Sequence, residues 1–161
     1  MITLKTLCRK YDCPMVVQHM AGRIKLPAEI EHVKQFTKFV RNFANGEGFS
    51  RRNIENIELA IEEALVNICR YAYNDIKGDM EIACSTDDDK QLIIQIVDGG
   101  KPFNILTVSE PDLTADITNR ELGGLGVLLI RRMVDDIKYQ RQGNKNVLTL
   151  TMSDKRKQQS K

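Results

Sequence analysis

Apolar residues along this chain change their spacing several times, and each change marks an element. The longest signal runs through Ile54, Ile57, Ile61, Ala64, Leu65, Ile68 and Ala72, which recur at three- and four-residue steps. That is the period of one helical face. Ser50 stands at the N-cap position before a run free of Gly and Pro, so the pattern predicts a helix from Arg51 to Tyr73. An earlier helix over Glu29 to Asn45 is carried by Ile30, Val33, Phe36, Val40 and Phe43. Asn45-Gly46-Glu47-Gly48 stops it with residues that tolerate positive φ.

Shorter periods predict strands. Met15 to Leu26 holds one or two strands around Gly22, closed by Pro27. Met80 to Cys84 alternates, and Gln91 to Val97 is apolar on both faces, which suits a central position in a sheet. Asp87-Asp88-Asp89-Lys90 between them is a hairpin turn, since the triple aspartate lacks the other ligand positions of a calcium loop. Gly123-Gly124-Leu125-Gly126 opens a helix from Val127 to Asp135. Ile137 to Arg141 and Asn146 to Met152 then form a last hairpin around Gly143-Asn144. Residues 104–122 are polar and poorly periodic, with Glu110, Pro111, Asp112 and Asp116. Segments of that length are lids, binding loops or disordered.

At 161 residues the chain is expected to form one domain over residues 15–152. Residues 1–14 form an N-terminal extension, and residues 153–161 a basic disordered tail with Lys155, Arg156, Lys157 and Lys161. Charge narrows the partners: 24 Lys and Arg against 22 Asp and Glu leave +2, no broad basic surface for nucleic acid. No long apolar run predicts a signal peptide or membrane span. Cys8, Cys13, Cys69 and Cys84 form no C-x-x-C pair, so reduced thiols in a cytoplasmic protein are expected, with Cys69 and Cys84 as core residues. Cys8 and Cys13 with His19 fit no zinc spacing, and neither His19 nor His32 has a nucleophile in a triad setting.

Chemistry enters on the other side of the long helix. Glu63 and Asn67 are four apart, hence neighbours, and point away from the Ile61 stripe. They are either ordinary exposed or paired side chains, or a site, and Leu59, Ala60, Val66 and Tyr71 nearby make this more than a solvated face. Gly123 to Gly126 before a helix is either a tight packing turn or a phosphate cradle, where free N–H groups face an anion. It is not a Walker A loop, for no Gly-Lys-Ser/Thr follows, and it sits in no βαβ unit.

Taken in order, these segments resemble the GHKL ATP-binding superfamily and, within it, the RsbW-like anti-sigma-factor serine kinases. Leu59-Ala60-x-x-Glu63-Ala64-x-x-Asn67-x-x-x-x-Ala72-Tyr73 is similar to that family's N box. Asp98-x-Gly100-x-Pro102-Phe103 is similar to its first glycine box, and Gly123-Gly124-Leu125-Gly126-x-x-Leu129-Ile130-Arg131-Arg132 to its second. The resemblance covers Arg23 to Met152. Two positions depart from it: Tyr71 where many members have His, and Asn104 where many have Asp.

The resemblance implies an α/β two-layer sandwich of the Bergerat type, with a mixed, mainly antiparallel sheet and helices on one face. It implies ATP and Mg²⁺ as cofactors, with Asn67 coordinating Mg²⁺. Asp98 would take a hydrogen bond from the adenine amino group, Gly100 would leave room for the base, and Thr149 would assist Asp98 from the last strand. Gly124 and Gly126 would serve the phosphates. Residues 104–122 would be the ATP lid, from which Arg120 reaches the γ-phosphate or is an ordinary lid charge. Glu63 would be the general base. The implied partners are a STAS-domain anti-anti-sigma protein, phosphorylated on Ser, a sigma factor or other regulated protein, and a second copy in a homodimer. The alternative is a nucleotide-gated sequestering module with little or no turnover.

Overall fold

The structure is a computed structural model, and residues 19–73, 77–107 and 125–154 are the ones described. The expected extension at 1–14, most of the expected lid including Arg120, the glycines Gly123 and Gly124, and the tail beyond Asp154 lie outside them.

Five strands form one sheet: β1 (His19–Pro27), β2 (Asp79–Thr86), β3 (Leu92–Asp98), β4 (Asp136–Gln142) and β5 (Lys145–Met152). Their spatial order is β1-β2-β3-β5-β4, and each pairing is antiparallel. The expected mixed sheet is therefore antiparallel throughout the described residues, and β3 is central as its two apolar faces required. Around Gly22 the chain runs as one strand whose register shifts between His19 and Gly22, not as two. Asp87 closes the β2–β3 turn: its backbone pairs with Gln91 and Lys90, and its carboxylate accepts the Gln91 N–H at 2.8 Å.

Every second residue of the inner strands enters one core. Met80, Ile82 and Cys84 of β2, Leu92, Ile94 and Ile96 of β3, and Leu148, Leu150 and Met152 of β5 are buried with the apolar stripes of the helices. Strand alternation puts these residues on one face, so the helices cover that face. They are α1 (Val33–Gly46), entered through a 3₁₀ turn at Ile30–His32, α2 (Arg51–Asn67) and α3 (Leu125–Met133).

Two boundaries differ from expectation. The long helix is α-helical only to Asn67; Ile68–Tyr73 continues as a π-helix. Such wide turns are rare and cluster at functional sites. The apolar period cannot reveal one this short, because the helix is not interrupted. The first two residues of the expected tail are held in place: Ser153 N–H and Oγ both donate to Asp135, and Asp154 accepts from the Ser50 N–H and the Asn53 amide. Ser50 in turn caps α2, its Oγ accepting the Asn53 N–H at 3.2 Å, so the chain beyond β5 is fastened to the start of the central helix.

Candidate nucleotide and catalytic site

Glu63 and Asn67 lie on the side of α2 that α3 covers. Asn67 is 9% exposed and Glu63 half-buried. A side-chain carbon added at Gly126, in the first turn of α3, would run into the Glu63 carboxylate and come 3.4 Å from the Asn67 amide nitrogen. Gly126 thus has a local reason to be glycine: anything larger would displace the candidate base. The same contact makes this part of α2 an interhelical face, although Leu59 and Tyr71 on that side stay exposed. Asn67 is also oriented. Its Nδ2 donates to the Glu63 carbonyl at 2.8 Å, which leaves its Oδ1 as the oxygen available to a cation.

Asp98 is the last residue of β3 and is 3% exposed. Its Oδ1 accepts the Gly100 N–H and the Asn146 side-chain amide, each at 2.9 Å. Burial pushes the Asp98 carboxyl above the ordinary carboxylate range, against the opposing pull of the Asn146 amide, the Gly100 N–H and the Arg141 guanidinium. Asp98 lines a small cavity with Ile68, Phe103, Ile105, Tyr139, Asn146 and Leu148. The cavity measures about 10 Å³, too little for a purine, because the 3₁₀ turn Ile105–Thr107 packs over it with Ile105 2% exposed. Asn104 accepts the Leu106 N–H, and Arg131 of α3 donates to the Leu106 carbonyl at 2.8 Å, so the turn is tied to α3. The two positions that depart from the family pattern both lie here. Asn104 caps this turn, and Tyr71 stacks on Phe103 with ring centroids 5.1 Å apart.

One expected role changes. Thr149 does not assist Asp98. It pairs with Gln95 and, in a strand, sits on the opposite face from Asn146, three residues away. Asn146 is the residue directly across from Asp98, and counting back by twos from the core residues Met152, Leu150 and Leu148 would have found it. Gly100 has a packing role of its own: a side-chain carbon there would lie 2.6 Å from the Ala72 carbonyl oxygen. That carbonyl, in the π-helical turn, accepts the Lys101 N–H at 2.8 Å. Tyr73, in the same turn, accepts the Gly99 N–H and donates to the Asp79 carbonyl, each at 2.8 Å. The wide turn therefore fastens the loop that follows Asp98, a function sequence reasoning did not foresee.

The chain and its fold are similar to known proteins. Residues 26–152 match the family model of the histidine kinase-like ATPase domain. The serine-protein kinase RsbW of Bacillus mycoides is 30% identical over 129 residues, which span 78% of this chain and 80% of that protein. The serine-protein kinase RsbW of Listeria monocytogenes serovar 1/2a is 29% identical over 147 residues, 88% of this chain and 93% of that protein. In fold, a crystal structure of the RsbU and RsbW domains of a Mycobacterium tuberculosis protein is similar over 83% of this chain and 32% of its own, with TM-score 0.58 and 19% identity. A chain of the SiaB–SiaC complex from Pseudomonas aeruginosa is similar over 94% and 98%, with TM-score 0.56 and 13% identity.

Architecture and motif order thus define a histidine kinase-like ATPase domain. Within that class the chain belongs to the RsbW serine-protein kinases, enzymes that use ATP to phosphorylate protein serine. No helix among the described residues is long and apolar enough to cross a membrane.

Proposed function

We propose that this kinase is the anti-sigma factor of a partner switch, phosphorylating a Ser of a small STAS-domain anti-anti-sigma protein and otherwise holding a sigma factor, as a homodimer in the cytoplasm. The observation that carries the reading is the placement of Glu63 and Asn67 side by side beneath the first turn of α3. Helix first turns carry N–H groups without intrahelical partners and attract anions. The triphosphate of ATP would lie against that turn, with Gly124 and Gly126 giving it room and Arg120 available from the lid. With the turn Ile105–Thr107 moved off the small cavity beneath it, Asp98 would accept the adenine amino group at its second oxygen.

Mg²⁺ fits the donor set, because an amide oxygen with phosphate oxygens and waters satisfies its preference for oxygen; it would neutralise charge on the transferred phosphoryl group. Glu63 would accept the proton of the substrate Ser as its Oγ bonds to the γ-phosphorus and ADP leaves. Phosphoryl transfer is mainly positioning and charge neutralisation, so the base is a modest part of the rate. The new phosphoserine brings about −1.5 to −2 charge, enough to break a close interface and release the substrate.

The test is capture of partners on the purified protein with Mg-ATP, read by mass spectrometry for phosphosites. A STAS-domain protein newly phosphorylated on Ser supports the reading. A sigma factor held in a nucleotide-dependent way with no phosphate transferred replaces it with the sequestering module.

A further inference from the structure

Asn146 spends its whole hydrogen-bonding capacity on its neighbours. Its Nδ2 donates to Asp98 Oδ1 and to the Lys101 carbonyl, each at 2.9 Å. Its Oδ1 accepts the Tyr139 hydroxyl at 2.7 Å and the Arg141 guanidinium at 2.8 Å. Arginine has no acceptor, and a carboxylate and a carbonyl have no donor, so Arg141 on one side and Asp98 with the Lys101 carbonyl on the other fix the amide with its oxygen to Arg141 and its nitrogen to Asp98. The same Arg141 nitrogen reaches the Gly100 carbonyl at 3.0 Å, tying the loop whose N–H is the other donor to Asp98 Oδ1. Asp98 Oδ1 thus carries two donors, and its Oδ2 takes no hydrogen bond among the described residues.

We propose that Arg141 and Asn146 are positioning residues for base selection: they hold Asp98 Oδ1 engaged so that Oδ2 alone faces the base, which favours an exocyclic amino group over a carbonyl. The inference rests on the nucleotide reading of the site. Neither residue touches the base in this account; both act through Asp98. Arg141 is exposed on β4, an edge strand, and Asn146 is buried, so the two can be probed at different risk to the fold.

The discriminating substitution is Asn146→Asp. It keeps the acceptor for Arg141 and Tyr139, but places an oxygen where the amide nitrogen stood, facing Asp98 Oδ1 and the Lys101 carbonyl. Three acceptors then meet with no proton unless the two carboxyl groups share one. The other charged or titratable groups near Asp98 are Arg141 and Tyr139 on β4 and Cys69, Tyr73 and Asp79 around the π-helical turn. All remain unchanged.

Fluorescent ATP and GTP analogues are titrated into wild type, Asn146→Asp and Arg141→Gln from mildly acidic to mildly alkaline pH, with circular dichroism as the check on folding. Wild type is expected to prefer ATP and to weaken toward acid, as Asp98 takes a proton. Asn146→Asp is expected to lose about tenfold or more in ATP affinity at alkaline pH and to recover toward acid, the opposite slope. Arg141→Gln, which removes the guanidinium from both the Asn146 oxygen and the Gly100 carbonyl and so loosens the loop and amide that hold Asp98 Oδ1, is expected to narrow the ATP-to-GTP preference. Retention of both preference and pH slope in Arg141→Gln and in a folded Asn146→Asp overturns the proposal, as does retention in Arg141→Gln alone if Asn146→Asp does not fold. Wild type that binds neither analogue instead overturns the nucleotide reading beneath it.

Discussion

Replacing Asp98 by Asn should make the protein more stable and nearly unable to bind ATP. The carboxyl is 3% exposed and held above its ordinary range chiefly by burial. An Asn keeps an oxygen for the Gly100 N–H and the Asn146 amide, so the folded network stays closed, and it removes a buried charge. The sign follows from linkage. An acid whose folded pKa is raised binds its proton more tightly in the native state. Its favourable contribution is complete below the unfolded value and disappears as pH rises through the folded value. The melting temperature of Asp98→Asn should therefore exceed that of wild type at neutral pH, and the difference should shrink as pH falls toward the ordinary aspartate value. For ATP the orientation matters. With the Asn oxygen fixed by two donors, its NH₂ faces the base amino group, donor against donor. A hydrogen bond to a charged group is worth about 1.5–3 kcal/mol, or about 10- to 150-fold in affinity. The unpaired donor adds to the loss. Calorimetric titration with Mg-ATP and thermal denaturation across pH read both effects. Undiminished ATP affinity, or a variant less stable than wild type at neutral pH with no pH trend, would refute the reasoning.

Gly126→Ala would push against the Glu63 carboxylate; phosphate transfer should fall well before thermal stability does, which a transfer assay beside a melting curve decides. At Gly100 an added methyl meets backbone, the Ala72 carbonyl oxygen at 2.6 Å, so Gly100→Ala should cost about 1–3 kcal/mol in denaturant unfolding. Cys69 and Cys84 are buried, and burial pushes their thiols up to about 11 and about 12. In the native protein both should resist a thiol reagent near neutral pH and label only on unfolding, as peptide mapping of the labelled sites would establish.

The apolar periods reveal the layers, the central strand and both hairpins, because burial on one face imposes a spacing that survives in one dimension. Glu63 and Asn67 are legible as neighbours from their helical step, but their roles, and Asp98 altogether, come from the resemblance to the ATPase motifs. Asn146 is within reach of strand parity, but Arg141, Tyr139 and Tyr73 are not legible, since they reach Asn146 and the loop after Asp98 only through a strand pairing and a wide helical turn. Neither feature has a period of its own. Thr149 went wrong where parity was overlooked, an odd step along a strand being a change of face. Gly100 is informative in the other direction. Its glycine is needed for the close approach of Ala72, a reason that only coordinates reveal.

The claim on which the account turns is that Glu63 takes the proton from a substrate serine. The direct measurement is Glu63→Gln beside wild type, with Mg-ATP affinity and phosphate transfer to the captured partner measured on the same preparations. Affinity close to wild type and transfer reduced by about 10²–10⁴-fold are expected. Transfer at the wild-type rate would contradict the claim and remove Glu63 from the reaction.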